Sequence, residues 1–326
     1  MADVSLARSP KPTLNILALA GALVGGLLFA YTLRRAGVSE VLAGIRHVGV
    51  AFVAVLLLSG FRMVVRAKAW SLCVGGAERL GLREALSAFV AGDALGNITP
   101  LGPVASEGAK AVLARRSLSS ASAFASVVLE NIFYSISVAV MVTAGSLAFI
   151  AGFRMTDAVL SVSIAISVLA LLAIVAVWVF LKTRPAIASR LVAHSNVRLA
   201  EDRVFGFAAQ HPDRLATILA LEFTFHAAAV AEIVLLLWVL VGASPRMLLL
   251  ALVLETVERV ITIAFKFVPF RLGVDQAGSG LVASLVGLTT ATGVTIATIR
   301  TARNLFWAAI GLVLLATTQG KPRKRE

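Results

Sequence analysis

The feature that most constrains this chain is Gly92–Lys110. Two carboxylates, an amide, an ammonium, two prolines and four glycines sit there within a strongly apolar sequence. Proline removes a backbone donor and glycine loosens the chain, so no uninterrupted helix runs through Asn97–Pro103. Broken backbone at membrane depth is tolerated only where protein or a water-filled cavity satisfies its polar groups. The segment is therefore either a functional re-entrant turn or a surface loop between two helices.

A second such segment is Lys266–Gly278. Again a proline, Pro269, ends an apolar run and a glycine, Gly273, follows closely. Glu107 and Gln276 each stand seven residues past their proline (107 − 100 and 276 − 269). The prolines are 169 positions apart (269 − 100), about half of the 326 residues. Paired Gly/Pro-interrupted apolar segments at matching places in two halves point to a transporter-type internal repeat, with the site where the repeats meet.

Hydrophobic residues make up 59% of the chain and charged residues 14%, more apolar surface than a soluble domain of this size can bury. The expected class is an all-α polytopic membrane protein. About six helices span, namely Leu14–Leu33, Val48–Val65, Ser119–Ile150, Ala158–Leu181, Leu215–Val241 and Ala291–Thr318. Two broken hairpins, re-entrant or fully spanning, occupy 84–114 and 247–290. The first repeat covers 14–152 and the second 153–318, joined near Phe153. The sections 1–13 and 319–326 read as tails. The connection 34–47 and the stretch 182–214 read as polar loops.

The net charge of +13 lies mostly in loops beside apolar spans, where orientation and anionic lipid heads account for it without nucleic acid. The positive-inside rule puts 182–214 and both termini in the cytoplasm of a cell (inner) membrane, against one dissenting group, Arg34, Arg35 and Arg46. The halves are then inverted copies. One cysteine, Cys73, and histidines without ligand spacing (His47, His194, His211, His226) exclude a disulfide and give no metal site. No cofactor is expected, and no nucleophile, phosphate-loop or zinc-protease motif occurs.

Ionisable residues within spans are expensive and usually face a partner or a cavity. Arg300, Arg303 and Trp307 recur at helical spacing. Two guanidiniums on one face suit a phosphate or carboxylate, or they pair internally with Glu255 or Glu258, or snorkel. Glu258-Arg259 precedes the second break and Glu130-Asn131 follows the first. Arg62 and Arg66 read as snorkelling at a span end, Glu222 and His226 as a hydrogen-bonded pair, and Glu232 as structural. Helices starting near Val104 and Val274 aim their N-termini at the breaks, which favours an anionic group.

These residues resemble the lysylphosphatidylglycerol synthase transmembrane-region family of flippase-like membrane proteins. The resemblance is carried by Asn97-x-Thr99-Pro100, Glu107-Gly108-x-Lys110, Arg115-Arg116, Glu258-Arg259 and Pro269 with Leu272-Gly273-Val274. Phe270-Arg271 stand where the family pattern has two glycines, and Gln276 where it has a glutamate. Pro103–Ser106 replaces a common Gly-Glu pair. The resemblance implies a lipid substrate with an anionic or glycosylated head, of polyprenyl or hopanoid type among others, and a lipid-biosynthetic enzyme as partner. It does not imply lipid aminoacylation by these residues themselves.

The candidate substrate-contacting residues are Asn97, Thr99, Glu107, Lys110, Glu130, Glu258, Arg259, Arg271, Asp275, Gln276, Arg300 and Arg303. Candidate breaks are Pro100, Gly102, Pro103, Gly108, Pro269, Gly273 and Gly278. The leading function is lipid translocation. The alternatives are a non-transporting lipid-binding or scaffold subunit and, more weakly, an intramembrane enzyme. Cysteines placed at Arg190 or Arg198 should label from the cytoplasm and one at Gly242 from outside. The opposite pattern reverses the polarity.

Overall fold

The computed structural model describes residues 12–99, 102–184, 190 and 195–319. It is all helical. The first half runs α1 (Pro12–Ala36), α2 (Val38–Val48), α3 (Ala51–Leu72), α4 (Leu82–Ile98), α5 (Gly102–Ala114) and α6 (Ser120–Gly152). The second half runs α7 (Asp157–Thr183), α8 (Ser195–Gln210), α9 (Pro212–Val241), α10 (Met247–Ala264), α11 (Val274–Leu285) and α12 (Thr290–Gln319). The element order repeats: one long helix, a short helix leading into a long one, a broken pair, and a closing long helix.

Among the described residues, α6, α7, α9 and α12 are long and apolar enough to cross a membrane. The pair α2 and α3, bent by 75°, makes a fifth. The remaining expected span, Leu14–Leu33, forms the body of α1.

Two expected loops are helical. Val38–Val48 was to be a polar connection, but Val41 and Val48 recur on one face and are buried. Gly37 and Gly49, with φ of 90° and 42°, set the helix off at either end. Within 182–214, α8 buries Ala200, Val204 and Phe207 against Cys73, Ala125 and Ile218. Polar composition hid a periodic apolar stripe in both. The turn after α3 carries Glu78, which accepts from the Ser119 N–H at 2.7 Å and the Ser122 hydroxyl at 2.8 Å. Burial raises the Glu78 pKa, but these donors and Arg203 outweigh it and hold the carboxyl below the usual glutamate range.

The broken pairs also differ in detail from expectation. Helix α5 resumes at Gly102, with Pro103 in its first turn, where a missing N–H costs nothing. Gly108 lies inside α5 and Gly278 inside α11, so neither is a break. Gly278 instead gives Ile261 of α10 room for close approach. Pro100 and the termini 1–11 and 320–326 lie outside the described residues.

Small residues bring the halves together, as is usual between membrane helices. Gly311 on α12 packs against Val90 and Ala94 of α4, and Gly145 on α6 against Thr256 of α10. In each case the closing helix of one half meets the first broken helix of the other. The repeat equivalents α3 and α9 pack directly against each other. Beside this contact, Val55, Ile233, Leu236, Leu237, Val253 and Ile299 form the main apolar core.

At the second break, Phe270 and Arg271 both have φ of 50°. These are the positions where the family pattern carries glycines. The left-handed region costs a residue with a β-carbon about 1–2 kcal/mol, and glycine almost nothing. Phe270→Gly should therefore melt higher than Phe270→Ala in detergent, the reverse of the order at ordinary helix and strand positions. A higher melting temperature for the alanine variant would show that the strain is absent.

A buried ion network where the broken helices meet

The two breaks touch. A β-carbon on Gly102 would meet the carbonyl oxygen of Gly96 at 2.8 Å and that of Lys266 at 3.2 Å. Gly273, at φ 82°, fits against the backbone of α1 at Gly25 and Phe29. Locally each break satisfies several of its own polar groups. Asn97 Nδ2 donates to the Asp93 carbonyl and carboxylate, both at 3.0 Å, and the Thr99 hydroxyl donates to the Leu95 carbonyl at 2.8 Å. The Gly273 N–H donates to Gln276 Oε1 at 2.7 Å, so one of the N-terminal amides expected to face an anion is already used. Gln276 Nε2 donates in turn to Thr301 on α12 at 3.0 Å, and Arg271 pairs with Asp275 at 3.2 Å.

Beside the breaks lies a network of arginines and glutamates from α3, α9, α10 and α12. Glu232 is its hub and is wholly buried. It takes Arg62 at 3.2 Å, Arg300 at 3.4 Å, and Arg303. Glu255 takes Arg259 at 2.6 Å and Arg300 at 2.7 Å, and Glu258 also takes Arg300. Arg259 donates onward to the Tyr134 hydroxyl at 3.3 Å. Trp307, the indole one turn past Arg303, donates to Ser59 on α3 at 2.5 Å.

Of the alternatives open for Arg300 and Arg303, internal pairing is the one adopted, Arg300 with Glu255 and Glu258 and Arg303 with Glu232. Glu255 was foreseen as a partner, whereas Arg62 and Glu232 were not foreseen as members. Nor was Arg66, which donates to Glu130 on α6 at 2.9 Å and sits 3.7 Å above the Tyr134 ring. The signal for Arg62 and Arg66 was their spacing of four on one face of α3. Glu222 and His226 do not pair with each other. His226 faces the Ser137 hydroxyl at 3.1 Å and stacks on Tyr134.

Glu107 occupies a separate place. It takes Lys110 at 3.0 Å and the Asn131 side-chain N–H at 2.8 Å. Lys110 is buried against the Phe89 ring, while Glu107 is 29% exposed. Glu107 and Asn131 border a cleft of about 600 Å³ between α5, α6 and α7. Apart from Ser135, the rest of its wall is apolar, including Phe124, Ile132, Val177 and Phe180. Helix α1 packs on α11, whereas its repeat equivalent α7 lies along α6 and leaves α5 open to this cleft. No group of metal-ligating side chains occurs among the described residues.

Fold and site together define a polytopic all-α membrane protein with two interrupted helices converging on buried charge. The chain belongs to the family described as the lysylphosphatidylglycerol synthase TM region, which it matches over residues 17–311. Neither a curated protein nor a solved structure matches it. The family links it to membrane lipid metabolism or translocation.

Removing one partner of a buried ion pair strands the others, typically at about 3–5 kcal/mol. Glu232→Gln strands parts of Arg62, Arg300 and Arg303 together, and should lower unfolding free energy in detergent by at least that much. A loss under about 1 kcal/mol, typical of an exposed pair, would show that Glu232 is not the hub.

Proposed function

We propose that this protein is a lipid translocase of the cell's inner membrane, moving a lipid with an anionic or glycosylated head between leaflets along the junction of its two halves. The observation that carries this reading is the contact of two interrupted helices, one from each half, beside a buried ion network. Interrupted helices meeting at a repeat interface are the usual substrate site of transporters built from inverted repeats. The apolar cleft at Glu107 offers lateral access for acyl chains from the bilayer, with a carboxylate and an amide at its edge for the head.

Charge favours the anionic alternative. The hub network sets four guanidiniums (Arg62, Arg259, Arg300, Arg303) against three carboxylates (Glu232, Glu255, Glu258), an excess of one positive charge. The basic face bearing α8 is assigned to the cytoplasm together with both termini, and a lipid-biosynthetic enzyme is the partner that would supply cargo. The protein is read as a carrier without catalysis of its own. One observation favours the alternative of a non-transporting lipid-binding subunit: every arginine of the network is engaged by a carboxylate.

Glu107→Gln separates the two. It removes a charge-assisted contact worth about 1.5–3 kcal/mol. The lipid-flip rate per folded molecule in liposomes should fall by roughly tenfold or more, 1.4 kcal/mol being tenfold. A thermal melt run beside it corrects for unfolded protein. A wild-type rate per folded molecule would make this motif scaffolding and favour the non-transporting reading.

A further inference from the structure

Glu222 on α9 is 0% exposed, and neither of its carboxyl oxygens has a hydrogen-bond partner. The nearest cation is Arg66, 3.9 Å away. That guanidinium is already held by Glu130 through Nε and Nη2. The other groups acting on Glu222 are Glu130 itself, from α6, and Lys110 from α5, which is bound by Glu107. Tyr134 from α6 lies against Arg66, the buried Cys73 thiol donates to the Ala69 carbonyl of α3, and His226 one turn on along α9 is turned to Ser137. None of them donates to Glu222. A carboxylate stripped of water and donors neutralises rather than stay charged.

The arrangement is therefore one guanidinium between two carboxylates, which is electrically neutral with one added proton. The proton sits on whichever carboxyl Arg66 does not hold, and the pair titrates as a unit. A cavity of about 290 Å³ lies between α6 and α8, lined on α6 by Ser126 and by Leu129, the neighbour of Glu130 in sequence. Cys73, Ser122, Ser126, Leu129, Arg203 and Gln210 are among its walls. Ser126 is one helical turn, about 5.4 Å, before Glu130 on the same face of α6.

We propose that Glu130, Arg66 and Glu222 form a proton-binding site, filled through this cavity, that balances the charge of an anionic lipid head. Protonation adds no new bond partner; it transfers a proton from water to Glu222 Oε. With that proton in place, the adjoining hub network keeps one unmatched positive charge, the amount a monoanionic head neutralises. When the head leaves, the unmatched positive charge of the hub weakens the hold on this proton, which ties proton release to departure of the head. The coupling rests on the translocase reading, whereas the proton site does not.

Infrared difference spectra of the full chain in liposomes test the site. At neutral pH the wild type should show the carbonyl band of a protonated carboxyl, shifting on transfer to D2O. Glu222→Gln should remove this band and Glu222→Asp should move it, while Glu107→Gln leaves it in place. Asp275→Asn identifies any separate contribution from Asp275, whose Oδ1 is also buried without a partner. Ala125→Phe, which fills the cavity, should slow the D2O shift several-fold. A wild-type spectrum unchanged in Glu222→Gln, or an unmoved band in Glu222→Asp if the glutamine variant does not insert, overturns the site.

For the coupling, vesicles of phosphatidylcholine with a trace of fluorescent phosphatidylglycerol are given a pH gradient. The wild-type flip rate should change several-fold with the gradient and that of Glu222→Gln should not. Flipping indifferent to the gradient overturns the coupling. Absence of flipping by the wild type counts against the translocase reading and leaves the infrared test of the site intact.

Discussion

The structure depends on one carboxylate. Glu232 binds Arg62 of the first half and Arg300 and Arg303 of the second, so α3, α9 and α12 are held by the same two oxygens. In a bilayer there is little hydrophobic drive between helices, because lipid tails are as apolar as leucine. Close glycine contacts such as that of Gly311 in α12 with α4 add packing but do not specify a partner. Buried ions do, since a wrong partner leaves a charge in a medium that cannot solvate it. The network therefore fixes which helices are neighbours, and the breaks at Gly102 and Gly273 can stay irregular inside a frame set elsewhere.

The same network limits what the site can be. Each guanidinium is engaged, so an incoming head has to exchange with a carboxylate rather than fill an empty position. Arg300, shared by Glu232, Glu255 and Glu258, is the member with most alternatives, and a head that displaces Glu232 or Glu255 there leaves each still paired, with Arg303 or Arg259. A site with several near-equivalent pairings suits passage better than tight retention, because cargo must leave as readily as it binds.

Much of this was legible in the sequence where backbone chemistry decides. Pro269, Gly273 and the residues about Thr99 announce interruptions whatever surrounds them, and their spacing exposed the repeated order of elements. Arg62 and Arg66 were not legible, because their partners Glu232 and Glu130 lie 170 and 64 residues away. Position near a helix end made snorkelling the natural reading. Glu222 and His226 had the right spacing for a pair, but Ser137 and Tyr134 compete for the imidazole. Helices α2 and α8 were read as loops from their charge, although their apolar residues keep helical period. Phe270-Arg271 could be seen to depart from the family's glycines, yet only the dihedrals show what that departure costs.

The span between Arg62 and Glu232 has a consequence for how the chain is made. Helix α3 emerges from the ribosome with two guanidiniums that a lone helix inserts poorly, at roughly 2.5–3.5 kcal/mol each at mid-bilayer. Glu232 follows 170 residues later, a delay on the order of 10–30 s at roughly 5–20 residues per second. Throughout that interval the first half holds positive charge in or beside the membrane with one of its neutralising helices still unmade. Biogenesis is thus a waiting problem: α3 has to be sheltered at the insertion machinery, or held at the interface, until α9 arrives to complete it.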